Sequence, residues 1–291
     1  MSNKENKKKK LRGEGRRVRS LDPMNYVAPY IMKTRTDSTN YIEGRFDVGK
    51  CDAYIKEKRA AGLTEFGYMH IIVAAYTRML SQHPEINRFI RGQKIYARNC
   101  IEFMIVVKRE MKVNAPETCV KLIFPPESTA EDIYKMLNSE IETARNSESS
   151  FDDTTKLLNY IPGLLLKSAM WFINLFDYFG WLPRKLTKLS PFHGSFAITS
   201  MASLGIPPIY HHLYNFGNIP VFLAFGNKYV VYEPKSDGSV EKFKYMDYRV
   251  TCDERIADGH AYSVAMRLLN HLVRNPELLD SPPERVIEDI P

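Results

Sequence analysis

The sequence predicts a two-layer α/β protein in which helices cover one face of a mixed β-sheet. Three observations support this class. Predicted helices and strands follow one another without strict alternation, which favours a mixed sheet over a repeated βαβ unit. Two continuous apolar runs, Phe103 to Val107 and Cys119 to Phe124, are typical of buried strands. Asp237-Gly238 marks a hairpin turn between two predicted strands near the C-terminal end.

The first half of the chain shows one alternating segment and three helical ones. Tyr41 to Val48 alternates apolar and polar residues and predicts a strand. A helix follows from about Asp52 to Ala61, and a longer one is capped by Thr64 and ends at Pro84. The pattern Ser128 to Glu131 is a capping box that opens a helix ending near Arg145.

The second half is richer in strands and ends in a helix. Strands are predicted at Phe196 to Ser200, Val221 to Phe225, Tyr229 to Tyr232 and Phe243 to Cys252. After Gly259 the apolar residues recur at helical spacing, from Ala261 to Leu272, which predicts an amphipathic final helix. A strand therefore delivers the charged residues from Asp253 to Asp258 to a turn, and a helix leaves it. Turns at strand ends are where scaffolds often place binding or catalytic groups.

The positive charge lies in the N-terminal segment. Of 291 residues with a net charge of +7, residues 1–20 carry nine Lys or Arg against two Glu, so the remainder is neutral in sum. We predict a basic disordered tail over residues 1–25, which either aids solubility or contacts RNA or an anionic membrane. The whole chain has 44% hydrophobic residues, which is typical of a globular protein, and the neutral body predicts no specific nucleic-acid binding.

Cysteine usage and the N-terminus predict a cytoplasmic protein. The four cysteines form no CxxC pair or short disulfide framework, which favours free thiols in a reducing compartment. No apolar segment follows the basic N-terminus, so no signal peptide is expected.

Four stretches carry a family resemblance. Asp253-Glu254-Arg255-Ile256-Ala257-Asp258-Gly259 resembles the D-H-R-x-x-D-G signature of the dihydrolipoamide acyltransferases of 2-oxo acid dehydrogenase complexes, which chloramphenicol acetyltransferase shares in looser form. Gly194 to Gly205 resembles that family's G-T-F-T-I-S-N-L-G stretch, and Asn218 to Gly226 and His83 to Asn87 resemble two further segments in the same order. Glu254 stands where the family has its catalytic histidine.

The resemblance implies a chloramphenicol acetyltransferase-like fold over residues 26–291. It also implies acyl-CoA as co-substrate and a homotrimer with sites at the subunit interfaces. No lipoyl domain is seen in the chain, so the expected layout is closer to stand-alone acetyltransferases. The acyl acceptor, a thiol, hydroxyl or amine of a small or lipid-like molecule, is left open. The alternative is a catalytically inactive homologue that acts as a binding or structural subunit.

The resemblance also assigns roles residue by residue. Thr199 falls at the hydroxyl that stabilises the oxyanion, with Ser200 beside it as the alternative. Asp258 falls at the aspartate that pairs with an arginine to hold the catalytic loop, and Arg35 or Arg255 is its expected partner.

Glu254 occupies the position of the base, and three interpretations stay open. It acts as a base if burial raises its pKa, or His260 or His193 replaces the histidine, or the site is inactive. His211 and His212 are adjacent and point apart in an extended segment, so they predict a loop pair and no metal site.

An apolar insertion at about 157–189 departs from the family pattern. Leu164 to Leu182 is almost long enough to span a bilayer, but Lys167, Asn174 and Asp177 interrupt it, and a span in mid-domain would disrupt the sheet. Two interpretations remain. The insertion is a helical flap over the substrate channel or a neighbouring subunit, or it is an interfacial helix on a membrane with the following basic residues toward the headgroups.

Overall fold

The computed structural model describes residues 13–108, 117–146 and 160–291. These ranges contain seven α-helices: α1 Pro23–Ile31, α2 Cys51–Ala60, α3 Tyr68–Gln82, α4 Ala130–Asn146, α5 Gly163–Phe179, α6 Arg184–Leu189 and α7 Gly259–Arg274. The same ranges contain nine strands: β1 Gly15–Arg17, β2 Thr39–Asp47, β3 Arg88–Arg91, β4 Lys94–Arg98, β5 Ile101–Lys108, β6 Glu117–Phe124, β7 Phe196–Ser200, β8 Val221–Pro234 and β9 Val240–Asp253.

The main sheet is mixed, as predicted. Its six strands run in the order β2-β9-β8-β7-β5-β6. β7 is parallel to both β5 and β8, and the other neighbouring pairs are antiparallel. β1, β4 and β3 form a second, three-stranded sheet that the sequence analysis did not predict. The α/β class with a mixed sheet is therefore confirmed.

The core lies between the main sheet and helices α3, α4 and α7. Side chains of alternate strand residues point to this face, among them Phe46 of β2 and Ile198 of β7, and both are buried. Tyr76 of α3 stacks on Phe196 of β7, with ring centroids 4.4 Å apart. α3 is buried along almost its whole length, which explains why apolar residues occupy nearly every side of it.

The opposite face of the sheet has a small apolar cluster formed by Met104, Ala197 and Ile219, with Phe222 packed against it. Elsewhere on this open face Tyr41, Val106 and Ile123 are exposed. Loop residues after β7 cross part of it, and Tyr210 packs edge-on against Tyr41 with ring centroids 5.1 Å apart. Helices therefore cover one face of the main sheet, and the other face is covered only in part.

Two helix starts differ from the sequence prediction. α3 begins after Gly67, so Thr64 is not its cap. The capping pair of α4 is Thr129 with Asp132, because the Asp132 carboxylate accepts from the Thr129 N–H at 2.9 Å and the Thr129 hydroxyl accepts from the Asp132 N–H at 3.2 Å. Several residues in each segment can cap a helix, and tertiary packing chose the register.

β8 joins two predicted strands into one. An irregularity between Phe225 and Lys228 shifts its register with β9. The hairpin turn at Asp237-Gly238 is confirmed: Gly238 has φ +80°, and the Lys235 N–H donates to the Ser239 carbonyl at 2.7 Å.

The predicted tail over residues 1–25 is too long. β1 pairs with β4, and the buried Glu14 forms an ion pair with Arg91 at 2.5 Å and accepts from the Asn218 amide at 2.9 Å. Because the buried charge of Glu14 is paired with Arg91, this polar segment can pack against the rest of the protein. Residues 1–12 lie outside the described residues.

Glu14 predicts an acid-sensitive contribution to stability. Burial opposes ionisation of Glu14, but the charges of Arg91 and Arg98 outweigh it and lower its pKa from 4.5 to about 2. A lowered pKa in the folded state stabilises the fold above the unfolded value, and the contribution is lost as pH falls toward about 2. We expect a loss of about 3 kcal/mol in the free energy of unfolding over this window.

The measurement is urea unfolding of the wild type and Glu14→Gln at several pH values. The difference between the two proteins should shrink as pH falls below about 4.5. A difference that stays constant down to about pH 3 would contradict the prediction.

Candidate functional site

The turn after β9 is built on a buried aspartate. Asp253 is 1% exposed, and Arg255 binds it through two nitrogens, Nε to Oδ1 at 2.8 Å and Nη2 to Oδ2 at 2.7 Å. The Ser38 hydroxyl donates to the same carboxylate at 3.0 Å, and Arg35 Nε lies 3.9 Å from it. Two guanidinium groups thus flank one buried carboxylate, and these ion pairs and hydrogen bonds offset part of the cost of desolvating the three charges.

Arg35 extends this cluster to the loop before β8. Its guanidinium donates to the backbone carbonyls of Tyr214, at 2.5 Å, and Gly217. Burial lowers the pKa of Arg35 from 12.5 to about 10, and Asp253 limits the shift. Arg35 therefore stays charged at neutral pH and ties three segments together: the residues before β2, the turn after β9 and the loop at 214–217.

The structure corrects the role expected for Asp258. Its side chain is exposed and accepts from the Ala261 N–H at 2.8 Å, so it caps α7. The arginine pairing expected of Asp258 belongs to Asp253, with both predicted partners, Arg35 and Arg255. The reason is position: Asp253 is the last residue of a central strand, whereas Asp258 is the N-cap of a surface helix.

Glu254 and His260 are both exposed to solvent. The Glu254 N–H donates to the Ser38 carbonyl at 2.8 Å, which fixes its backbone beside the Asp253 cluster. His260 is the second residue of α7.

Thr199 and Ser200 line a cavity of about 490 Å³ on the open face of the sheet. Strand alternation explains the orientation of Thr199, because Ile198 points into the helix-covered core and Ala197 lies on the open face. The walls are largely apolar, with Met104 and Phe222 among the lining residues. Pockets of this size with a few convergent polar groups are typical of small-molecule sites.

His211 and His212 also line this cavity. The His211 ring stacks on Phe222 with centroids 4.4 Å apart. Burial lowers the pKa of His211, and the neighbouring His212 lowers it further, so the ring is neutral at pH 7. Among the described residues, none forms a hydrogen bond with its buried Nε2. The sequence predicts that His211 and His212 are a loop pair without a metal, and it contains no signal that the loop places them in the cavity lined by Thr199 and Ser200.

Thr199 and Glu254 do not meet within one chain. Thr199 is opposite Ala224 on β8, and Ala224 is opposite Arg249 on β9, five residues before Glu254. Strand spacing and rise place the two residues about 15 Å or more apart. Glu254 is also absent from the lining of the Thr199 cavity.

His193 serves the packing of the chain. It is fully buried, and its ring nitrogens contact the Ser190 hydroxyl at 2.8 Å and Asp177 of α5 at 3.3 Å. It therefore links the apolar insertion to the segment that leads into β7, and it does not line the Thr199 cavity.

Comparison with solved structures identifies the fold. A probable dihydrolipoamide acetyltransferase from Listeria monocytogenes matches with a TM-score of 0.56 and 16% identity, over 88% of this chain and 95% of that chain. Dihydrolipoamide acetyltransferase from Azotobacter vinelandii matches with a TM-score of 0.58 and 12% identity, over 88% of each chain. The truncated catalytic core of the 2-oxoacid dehydrogenase multienzyme complex from Thermoplasma acidophilum matches with a TM-score of 0.54 and 12% identity, over 89% of this chain and 98% of that chain.

The chain has the fold of the dihydrolipoamide acetyltransferase cores. This confirms the fold implied by the four sequence motifs. No protein-family model and no curated protein matches the sequence.

Within this acyltransferase fold, no group of three or more His, Cys, Asp or Glu among the described residues is arranged to hold a metal ion. No helix in the described ranges is long and apolar enough to cross a membrane.

Gly217 closes the loop that Arg35 holds. Its φ is +85°, and a Cβ there would overlap the carbonyl of Phe192. We expect Gly217→Ala to lower the free energy of unfolding by more than about 2 kcal/mol, because backbone strain and a clash add. The measurement is chemical unfolding at fixed protein concentration.

Gly205→Ala is the matched control. Gly205 has φ +69°, and a Cβ there would meet nothing within 4 Å, so only the strain of about 1–2 kcal/mol remains. Equal losses in the two variants would show that the Phe192 contact does not constrain this loop.

Proposed function

We propose that the protein transfers an acyl group from acyl-CoA to a thiol, hydroxyl or amine acceptor. The observation that supports this most directly is the cavity of about 490 Å³ that combines apolar walls with the hydroxyls of Thr199 and Ser200 on the acetyltransferase fold. The apolar walls suit an acyl chain, and the hydroxyls suit a developing oxyanion.

The proposed chemistry needs a base and an oxyanion donor. A base takes the proton from the acceptor, which attacks the thioester carbonyl carbon of acyl-CoA. The resulting oxyanion accepts a hydrogen bond from Thr199, and a donor of this kind is typically worth about 3 kcal/mol. Collapse of the intermediate breaks the carbon–sulfur bond, and the CoA thiolate leaves and recovers the proton.

Glu254 is the proposed base, supplied by a second copy of the chain. The separation of Thr199 and Glu254 within one chain supports a site completed between copies, as the resemblance implies for a trimer. Exposed apolar side chains on the open face, Tyr41, Val106 and Ile123, offer a surface for such an interface. Entry of Glu254 into the largely apolar Thr199 cavity of the neighbouring copy would remove water from its carboxylate, and desolvation makes a carboxylate a stronger base.

His211 is the alternative base, because it lies in the Thr199 cavity of the same chain. Neutral imidazole suits proton abstraction near pH 7. The two candidate bases predict different effects of substitution. Glu254→Gln abolishes acyl transfer if Glu254 is the base, and His211→Asn abolishes it if the His211 imidazole is the base. In the first case light scattering should also show an oligomer.

The test begins with calorimetric titration of acetyl-CoA and free CoA into the wild type and Glu254→His. Turnover is then followed as release of the CoA thiol, with and without small thiol, alcohol and amine acceptors. Binding with turnover that Glu254→Gln or His211→Asn abolishes is the expected result. Binding without turnover, restored in part by Glu254→His, would replace the proposal by an inactive homologue that keeps its CoA site. If neither protein binds CoA, the proposal is wrong.

A further inference from the structure

The apolar insertion leaves an unusual amount of hydrophobic surface uncovered. No residue of the 17-residue helix α5 is buried. Five residues of α5 are half-buried, and four of them, Leu166, Met170, Ile173 and Asp177, share one face by helical spacing, whereas Leu175 does not. The exposed large side chains lie toward the other sides of the helix: Leu164, Leu165, Trp171, Phe172, Phe176, Tyr178 and Phe179. Trp181, Leu186 and Leu189 extend this surface into α6.

This surface, defined as the exposed side chains of residues 163–189, is held on the body at one end. Asp177 pairs with Arg91 at 3.5 Å and with His193 at 3.3 Å. Gly180, with φ +71°, closes the helix next to the Arg91 side chain. None of the described residues 160–189 lines the Thr199 cavity.

The charges around the surface are positive. Lys167, Arg184, Lys185 and Lys188 are all exposed. Asp177 is the one acidic residue between 163 and 189, and its carboxylate is taken up by Arg91 and His193. Outward from the body the insertion therefore presents apolar and cationic groups together.

Gly13, the first described residue, contacts the insertion. Arg184 at the start of α6 donates to the carbonyl of Gly13 at 2.9 Å. The twelve residues that precede Gly13 contain six Lys or Arg and one Glu. The described part of the chain thus begins, at Gly13, next to the apolar aromatic surface, and the sequence that precedes Gly13 is polybasic.

We propose that the surface of residues 163–189 docks the protein on an anionic lipid bilayer, and that the positive charge in the sequence of residues 4–12 adds to the electrostatic attraction. Stable membrane attachment generally needs two signals, and apolar insertion combined with a polybasic segment is such a pair. Tryptophan and tyrosine favour the headgroup level, where an apolar ring and a polar edge are both accommodated. The 17-residue helix carries Lys167 and Asp177 and rests in the interface without crossing it.

Vesicle co-sedimentation of the full chain is the primary test. We expect binding to phosphatidylcholine vesicles that contain roughly a third phosphatidylserine at about 0.1 M salt, and weaker binding to pure phosphatidylcholine or at high salt. Trp171→Asp should lower the partition coefficient by about ten-fold or more. Tyr232→Asp is the matched control, since Tyr232 is similarly exposed, at 65% against 59%, and belongs to β8, outside the insertion. Replacement of Lys7, Lys8, Lys9 and Lys10 by Gln should weaken binding to anionic vesicles alone, by more than about ten-fold.

Intrinsic fluorescence gives an independent readout. Trp171 and Trp181 are the two tryptophans of the chain, so their emission reports on this surface alone. Anionic vesicles should shift the emission to shorter wavelength. Absence of both sedimentation and the shift would overturn the proposal, as would an equal loss in Trp171→Asp and Tyr232→Asp. If vesicles have no effect and Trp171→Asp dissociates an oligomer, a second copy covers the surface and the membrane proposal is wrong. None of these outcomes depends on acyl transfer.

Discussion

Replacement of Asp253 by alanine is expected to lower the free energy of unfolding by about 3–5 kcal/mol. The variant leaves two buried guanidinium groups, those of Arg35 and Arg255, without their shared carboxylate. Removing one member of a buried ion cluster is costly because the remaining charge stays desolvated and unpaired. Denaturant unfolding at fixed protein concentration measures the change.

Asp258→Ala is the matched control for Asp253→Ala. Both aspartates belong to the same motif, but Asp258 only caps α7, and loss of an N-cap costs typically about 1 kcal/mol. Equal losses in the two variants would contradict the assignment of the buried pairing to Asp253. Asp253→Asn removes the charge and keeps the shape of the side chain, so it separates electrostatics from packing.

Replacement of Thr199 by alanine is expected to lower kcat by about 10²–10³-fold. The hydroxyl is proposed to donate to the oxyanion, which exists only on the way to product, so KM should change little. Release of the CoA thiol from acetyl-CoA is the measurement, with binding of free CoA followed by calorimetry.

Thr199→Ser keeps the hydroxyl and should retain most of the activity. Ser200→Ala removes the neighbouring hydroxyl and should have the smaller effect of the two alanine variants. Equal losses of kcat in Thr199→Ala and Thr199→Ser would show that the methyl group of Thr199, rather than its hydroxyl, matters. A larger loss in Ser200→Ala would transfer the oxyanion role to Ser200.

Local sequence patterns predicted an element correctly where its residues strongly prefer one backbone structure. The strand Phe196–Ser200 has the predicted bounds. The hairpin at Asp237-Gly238 followed from turn chemistry alone. The second sheet escaped prediction because its three strands have only three to five residues each, too few for a clear period.

Assignments within the motif needed the folded chain. Asp253 and Asp258 both lie near an arginine in sequence, but only burial distinguishes the ion pair from the helix cap. The loop before β8 places His211 in the cavity, and no residue spacing in the sequence indicates this position. The folding of residues 13–25 against the body likewise depends on contacts of Glu14 with Arg91 and Asn218, which are distant from it in sequence.

The sequence by itself determined the α/β class, the acyltransferase-like fold and the apolar character of the insertion, because these depend on periodicity, composition and short motifs. Only the tertiary structure decided which charges are buried together, that His211 and His212 share a cavity with Thr199, and that the apolar insertion contacts Gly13 at the start of the described chain. Those properties are contacts between residues distant in the chain, and their energies depend on burial, which no local pattern specifies.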